Sequence, residues 1–217
     1  MKSEEFSDLY WKHYIMIEKE FKTTTKYLSI DYCNFKAYSI AYAKLLLQIG
    51  SEVDVVAKEL CLEVDCNSTA EKINQYAIEI TGRFTEFTNV TVCCGSIDLQ
   101  PWKEWSNKSP DWWRVYNGVK HSRNLTQTYG NDTQENYKFA NQENVLNALA
   151  GLYQLEQYLY SLIKHDPHEE TPLPGSRLYK LKDCGWEKKQ FSRDVILYVD
   201  NQGCLFSLTP DTSYEDM

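Results

Sequence analysis

The hydrophobic pattern of the chain predicts a bundle of amphipathic helices that occupies residues 1–165. Apolar residues recur at helical spacing over 7–22, and they are dense over 32–64. The second stretch is apolar around much of its circumference, which indicates a helix buried on most sides. Gly50-Ser51 lies within this stretch and predicts a kink or a division into two helices.

Three further helices are expected after residue 64. Ser68 and Glu71 have the spacing of a capping box and predict a helix from about residue 73. The order Ser109-Pro110-Asp111 places a cap residue, a proline and an acid at a helix start, and it predicts a helix over 110–124. Residues 141–165 carry the clearest apolar stripe, so this helix should lie in the core.

Two other regions lack the helical period. Residues 85–108 are rich in Thr, Val, Phe and Cys and should form an irregular or extended insertion. A linker covers 166–175, and 176–208 contain strand-like runs with a hairpin turn at Asn201-Gln202-Gly203, expected to be a small β appendage packed on the bundle. The expected fold class is mainly α: an antiparallel helical bundle with a small C-terminal antiparallel β ribbon and a disordered acidic tail at 209–217.

Charge and targeting signals narrow the classes of function. The chain of 217 residues carries 31 acidic and 23 basic side chains, and this net charge of −8 argues against broad duplex binding through a basic surface. A small cationic site for RNA is compatible with that charge. The first residues lack the apolar core of a signal peptide, and no apolar run approaches the roughly 18 residues of a membrane span. We therefore expect a cytoplasmic protein without a membrane partner, whose seven cysteines are reduced.

The predicted helix over 110–124 displays polar groups on one side. At about 100° per residue, the core side holds Trp112, Val115, Val119 and Arg123. The opposite side displays a guanidinium, an amide, a glycine and an imidazole, from Arg114, Asn117, Gly118 and His121. Ordinary solvated helices also carry such faces, so each residue needs a chemical reason of its own.

Each group on this face has a role that fits cleavage of a phosphodiester. His121 can take or give a proton near neutral pH. Arg114 can hold a phosphate oxygen and stabilise the charge that develops on it. Asn117 can hydrogen-bond the phosphate or the 2′-hydroxyl, or it can orient the imidazole. Gly118 is expected to leave a bare patch where a substrate could approach.

The centre of this helix resembles the Arg-x(4–6)-His signature of the HEPN superfamily, in the run Trp113-Arg114-Val115-Tyr116-Asn117-Gly118-Val119-Lys120-His121. Members of that superfamily are helical bundles, and many are metal-independent endoribonucleases of toxin–antitoxin, abortive-infection and CRISPR systems. An Asn commonly lies four residues before the His, as Asn117 does here. The run Tyr-Asn-x-Val-Lys-His-Ser-Arg is similar to that of AbiV-type abortive-infection members. The usual Arg position, directly before the Asn, is Tyr116 in this chain, so Arg114 gives the longer Arg-x6-His spacing.

This resemblance implies an endoribonuclease that leaves 2′,3′-cyclic phosphate and 5′-hydroxyl ends and uses no metal or other cofactor. Its site would form where two copies meet in a homodimer. The catalytic residues would be Arg114, Asn117 and His121, and the substrate-binding residues would be Tyr116, Lys120 and Arg123. An antitoxin, or a phage-encoded activator or inhibitor protein, would control the activity.

Other interpretations of the sequence stay open. A bundle of the same ancestry without catalysis would be a binding module, such as an antitoxin-like partner or a scaffold. The tryptophans at 102, 105, 112 and 113 would stack bases, seal a dimer interface or fill the core. Lys44, Gln48 and Glu52 fit a solvated stripe with paired charges better than they fit a site. His165 and His168 lie in the expected linker and lack defined metal-ligand geometry.

Overall fold

The computed structural model describes residues 1–164 and 172–182, together with the backbone of two further strands. The structure is mainly helical, as the hydrophobic pattern predicts. Its helices are α1 (Ser3–Phe6), α2 (Lys12–Thr24), α3 (Ile40–Val64), α4 (Ile73–Arg83), α5 (Asp111–His121) and α6 (Gln142–Ile163). A π-helical turn, Ser7–Trp11, joins α1 to α2, and 3₁₀ turns lie at Tyr32–Asn34, Phe87–Asn89 and Asn136–Phe139. Among the described helices, none is long and apolar enough to cross a membrane.

α6 is the central helix, and the stripe that predicts it is confirmed. Its side chains are buried around nearly the whole circumference, and it packs lengthwise against α3. Asn141 begins the helix, since its Oδ1 accepts the backbone N–H of Asn144 at 3.0 Å. Removing this apolar surface from water is the main force that holds the bundle together.

α3 begins later than the pattern predicts and runs without a break. Tyr32–Asn34 form a 3₁₀ turn, and the helix starts at Ile40 because the Ser39 hydroxyl accepts the backbone N–H of Tyr42 at 3.0 Å. The expected division at Gly50-Ser51 is wrong, since one helix spans both residues. Gly50 serves close packing instead: a Cβ at this position would overlap the ring of Tyr116 from α5.

Both predicted helix caps in the middle of the chain differ from the structure. The Ser68 hydroxyl donates to Glu79 Oε2 at 2.6 Å, so it forms no capping box, and Lys72 precedes α4 without a side-chain cap. Pro110, rather than Ser109, occupies the cap position of α5, so the helix begins one residue later than expected. α5 ends at His121 rather than near residue 124, because Ser122 leaves helical geometry and its carbonyl oxygen accepts the Asn136 side chain at 2.7 Å.

The described strands form three separate antiparallel sheets. β1 (Thr91–Cys94) lies between β2 (Ile97–Leu99) and β5 (Lys180–Lys182), and the other pairs are β3 (Thr126–Tyr129) with β4 (Asp132–Glu135) and β6 (Ile196–Val199) with β7 (Leu205–Leu208). The antiparallel pairing predicted for the last two strand-like runs is confirmed as β6–β7, and the turn expected at Asn201-Gln202-Gly203 lies outside the described residues. The first run supplies β5, which pairs with β1 of the insertion rather than with that hairpin.

The segment before β5 is fastened to the bundle. Pro174, in the expected linker, accepts a hydrogen bond from Trp11 Nε1 at 2.9 Å through its carbonyl oxygen. The carboxylate of Glu18, a buried residue of α2, accepts the backbone N–H of Arg177 at 2.9 Å and also pairs with the Ser176 hydroxyl. Residues 166–171 of the expected linker and the acidic tail at 209–217 lie outside the described residues.

Candidate functional site

The two faces of α5 lie as the helical period predicts. Trp112, Val115 and Val119 are buried against the bundle. Arg114 and His121 are exposed, and Asn117 is half-buried. The chain therefore displays the guanidinium, the amide and the imidazole on the side of α5 that faces away from the core.

Tyr116 belongs to the core, although it was expected to contact substrate. Its side chain is only 5% exposed, and its ring packs on Gly50 of α3. The phenol oxygen accepts a hydrogen bond from Lys120 Nζ at 3.2 Å, and that ammonium lies 5.3 Å from the ring centre. Tyr116 thus tethers Lys120 at the edge of the helix.

Gly118 is half-buried, and a hairpin packs close to it, so the patch expected there is partly occupied rather than bare. The β3–β4 hairpin follows α5 and returns against it. A Cβ at Gly118 would lie 2.7 Å from Asn136 Oδ1 and 2.9 Å from the Tyr129 hydroxyl. Asn136 is fixed in this position, because its Nδ2 donates to the Ser122 carbonyl oxygen and its backbone N–H donates to the Leu125 carbonyl oxygen. Glycine at 118 allows the hairpin to dock.

Arg114 is held by three contacts at the edge of this hairpin. Its Nη1 lies 3.1 Å from Asp111 Oδ1, and both side chains are about half exposed. Its Cζ lies 5.2 Å from the centre of the Tyr129 ring. The Tyr129 hydroxyl lies 3.3 Å from both the Arg114 carbonyl oxygen and Asn136 Oδ1. Burial raises the pKa of Tyr129, while the nearby guanidinium lowers it and Asp111 raises it, so the phenol stays protonated at neutral pH.

A cavity of about 460 Å³ lies between α5 and the hairpin. Its polar lining comes mainly from six side chains: Trp113, Arg114, Asn117, Gln127, Tyr129 and Asn136. Ser109, Gly118 and Ser122 also line it, and Ile73 adds an apolar edge. We call this space the α5 cavity. Its volume falls within the range of small-molecule sites in proteins.

His121 lies beside the α5 cavity rather than in its lining. It is the last residue of α5, one turn after Asn117, and it is exposed. Among the described residues, the imidazole has neither a hydrogen-bond partner nor an ion-pair partner. The Asn117 amide does not orient it, because Asn117 Nδ2 donates to the Trp113 carbonyl oxygen at 3.0 Å. No group in the described part of the chain fixes the ring.

The other two expected substrate contacts are exposed at the end of α5. Lys120 lies on the helix, and Arg123 follows it instead of lying on the core side. Arg123 Nε donates to the Val119 carbonyl oxygen at 3.0 Å, and the Arg123 carbonyl oxygen accepts the backbone N–H of Tyr137. Both cations flank His121 in sequence and remain open to solvent.

Three residues that line the α5 cavity were missed by the sequence analysis, which assigned no element between the helices expected at 110–124 and 141–165. They are Gln127, Tyr129 and Asn136. The sequence does contain a signal for this hairpin, because Gly130-Asn131 is a residue pair typical of two-residue hairpin turns. In the structure the pair forms that turn, and Gly130 has a φ of +60°. The flanking strands lack alternating apolar residues, and none of their side chains is fully buried.

The tryptophans before and within α5 fill the core, and do not form a base-stacking surface. All four are at least 92% buried, with exposed fractions of 1–8%. Trp102 Nε1 donates to the Gly151 carbonyl oxygen and Trp112 Nε1 donates to the Pro101 carbonyl oxygen. Of the four, Trp113 also reaches the α5 cavity.

The remaining candidate groups give no second site. In the described part of the chain, no cluster of His, Cys, Asp and Glu could hold a metal ion, and both linker histidines lie outside that part. Burial raises the pKa of Cys94 to about 11, so this thiol stays protonated at neutral pH. Lys44 pairs with Glu20 at 2.6 Å, and Glu52 lies 3.6 Å from His13, as a solvated stripe with paired charges predicts.

Comparison with known proteins adds no relative. No family model, curated protein or solved structure matches the chain. The function therefore has to be argued from the side chains of α5 and its hairpin.

Proposed function

We propose that the protein is a metal-independent endoribonuclease of a toxin or abortive-infection system, with its site on the exposed face of α5. One observation carries the proposal: α5 presents Arg114, Asn117 and His121 to solvent beside a cavity lined by hydrogen-bonding groups. The HEPN-like spacing of these residues supports the same assignment. The acidic net charge restricts RNA binding to this local surface.

The proposed reaction is an attack of the 2′-oxygen on the neighbouring phosphorus. The 2′-hydroxyl gives up its proton to a base, the bond from phosphorus to the 5′-oxygen breaks, and an acid donates a proton to the leaving oxygen. The products are a 2′,3′-cyclic phosphate and a 5′-hydroxyl. His121 takes one of the two proton-transfer roles. Arg114 exchanges its exposed contact with Asp111 for a phosphate oxygen, a small cost because such surface pairs contribute little.

A homodimer would complete this site. One imidazole performs one proton transfer at a time, and His121 lacks an orienting partner in the described residues of its own chain. The exposed face of α5 leaves room for a second copy, whose His121 would supply the other role. Lys120 and Arg123 would then border the RNA backbone from both copies.

The distinctive test is the requirement for the 2′-hydroxyl. We would incubate the purified full chain in EDTA with a single-stranded RNA and with the same sequence in which every 2′-hydroxyl is replaced by hydrogen. The proposal predicts cleavage of the first substrate alone, with 2′,3′-cyclic phosphate ends. Cleavage of both substrates, or cleavage that depends on added metal, would overturn it.

A non-catalytic binding module is the second candidate, and particular observations favour it. Tyr116 fills a core position where the resembled pattern has Arg, and Arg114 contacts Asp111 of its own helix. Such a protein would bind its partner through the same face without cutting RNA. Binding of RNA or of a protein partner without cleavage in the assay above would identify it.

A further inference from the structure

The α5 cavity has a lining suited to an unpaired nucleotide. Most of its lining residues are neutral and able to form hydrogen bonds, and its one formal charge is the guanidinium of Arg114. Among its lining residues there is no carboxylate, although the chain carries 31 acidic side chains. Nucleobases present adjacent donors and acceptors at their edges, which side-chain amides match in pairs. A nucleotide also carries a phosphate group, which requires a cation beside the amides that bind the base.

Two side-chain amides that line the cavity, those of Asn117 and Gln127, have polar atoms without a hydrogen-bond partner in the described part of the chain. Asn117 uses its Nδ2 on the Trp113 carbonyl oxygen, and its Oδ1 has no partner in the described part of the chain. The amide of Gln127 has no partner there either, and the residue is exposed. Together they offer two acceptors and one donor group to a base edge.

The wall that carries Gln127 is held in place against α5. Gln127 and Tyr129 lie on the same face of β3, because alternate residues of a strand share a face. Tyr129 packs edge-on against Phe139, with ring centres 4.7 Å apart, and its hydroxyl reaches Asn136. Asn136 Nδ2 already donates to the Ser122 carbonyl oxygen. Asn136 therefore shapes the cavity wall more than it contacts a ligand.

We propose that the α5 cavity binds one unpaired nucleotide of RNA and reads its base. The amides of Gln127 and Asn117 contact the base edge, and Arg114 contacts the adjoining phosphate. The assignment rests on the proposed function, since it makes the cavity the subsite beside His121 that selects where the RNA is cut. The β3–β4 hairpin is then the specificity element of the protein.

Binding without cleavage tests this assignment separately from catalysis. Labelled octamers of A, C and U made of 2′-O-methyl RNA cannot be cut through the 2′-oxygen, and their dissociation constants would be measured by fluorescence anisotropy at one fixed salt concentration. We expect the best and worst octamers to differ by roughly tenfold, the effect of one good amide–base contact. Gln127→Ala should reduce that difference to within about twofold. Arg114→Ala should weaken all three octamers alike.

The hairpin supplies its own control. Thr128 lies on the opposite face of β3 from Gln127, where its hydroxyl meets that of Thr133 at 2.9 Å. Thr128→Val should therefore keep the base preference of the wild type. His121→Ala should keep it as well, because His121 does not line the cavity.

The other outcomes distinguish failure of the nucleotide site from failure of the nuclease proposal. No binding, equal binding of the three octamers, or a preference that survives Gln127→Ala would remove the nucleotide from this cavity. A preference that depends on Gln127, in a protein that never cuts RNA, would leave the nucleotide site standing while the nuclease proposal fails. Cleavage of RNA by a protein that binds the three octamers equally would support the nuclease proposal and overturn the nucleotide site.

Discussion

Gly50 and Tyr116 explain at the level of single residues why the α5 sequence departs from the pattern it resembles. The ring of Tyr116 occupies the space that a side chain at Gly50 would fill, so α3 and α5 approach closely at this point. An arginine at 116 would place a guanidinium in this buried contact, at a high desolvation cost. Arg114, on the exposed face, is the guanidinium that the proposed RNA site would use.

This contact predicts that Gly50→Ala destabilises the protein. The methyl group would overlap a buried ring between two helices, and such overpacking typically costs about 1–3 kcal/mol. Alanine is the better helix former by roughly 1 kcal/mol, so a gain in stability would show that the ring moves freely. Chemical denaturation measures the difference in free energy of unfolding.

Gly82 provides the matched control for that substitution. It lies in α4, and a Cβ there would meet nothing within 4 Å. Gly82→Ala should therefore raise the free energy of unfolding by up to about 1 kcal/mol. Adding Tyr116→Leu to Gly50→Ala should recover part of the loss, because the smaller side chain leaves room for the methyl group.

At the scale of elements, the β3–β4 hairpin depends on α5 for its order. A two-stranded hairpin is barely stable alone, and this one has no fully buried side chain in either strand. Its anchors are the contact of Tyr129 with Phe139 and Arg114, and the insertion of Asn136 over Gly118. The wall of the α5 cavity therefore persists only while the hairpin is docked.

Gly118→Ala should undock this hairpin. The added Cβ would lie 2.7 Å from Asn136 Oδ1, and Asn136 has little freedom to retreat because two hydrogen bonds hold it. We expect hydrogen exchange of the amides at 126–136 to accelerate at least tenfold, while amides of α6 keep their protection. Unchanged exchange in the hairpin would show that Gly118 is not required for docking.

The sequence reveals the helices better than it reveals the hairpin. α6 is predictable because burial of one helix in a bundle leaves an apolar stripe, and the exposed face of α5 follows from the same period. The hairpins at Gly95-Ser96 and Gly130-Asn131 carry the right turn residues, but the strands of the first are only three or four residues long and those of the second are polar. The α5 cavity needs Gln127 and Asn136 beside Asn117, a long-range contact that no local period encodes.

At the scale of the whole molecule, the core contains a carboxyl group that lowers stability as pH rises. Glu156 of α6 is 1% exposed, and its Oε2 has no partner among the described residues. Burial, with a smaller contribution from the charge of Glu52, raises the pKa of Glu156 well above its usual range. The folded protein thus holds a proton on Glu156 that the unfolded chain releases above a pH of about 4.5.

The proton on Glu156 determines whether the stability of the fold rises or falls with pH. Stability falls as pH rises from the unfolded pKa towards the raised folded pKa, by about 1.4 kcal/mol for each pH unit in that window. Glu156→Gln carries no titrating proton, so its advantage over the wild type should grow between pH 5 and pH 8. Denaturation at the two pH values measures this, and an advantage that is equal at both would contradict a raised pKa.

At the scale of the whole molecule, the proposed ribonuclease activity depends on His121. One comparison of cleavage rates tests this proposal most directly. Cleavage of a single-stranded RNA in EDTA would be timed for the wild type, for His121→Ala and for His13→Ala, an exposed histidine of α2 far along the chain. Loss of a general acid or base should slow His121→Ala at least about 100-fold, while His13→Ala cleaves at the wild-type rate. Equal rates in all three proteins, with circular dichroism showing each of them folded, would contradict the claim.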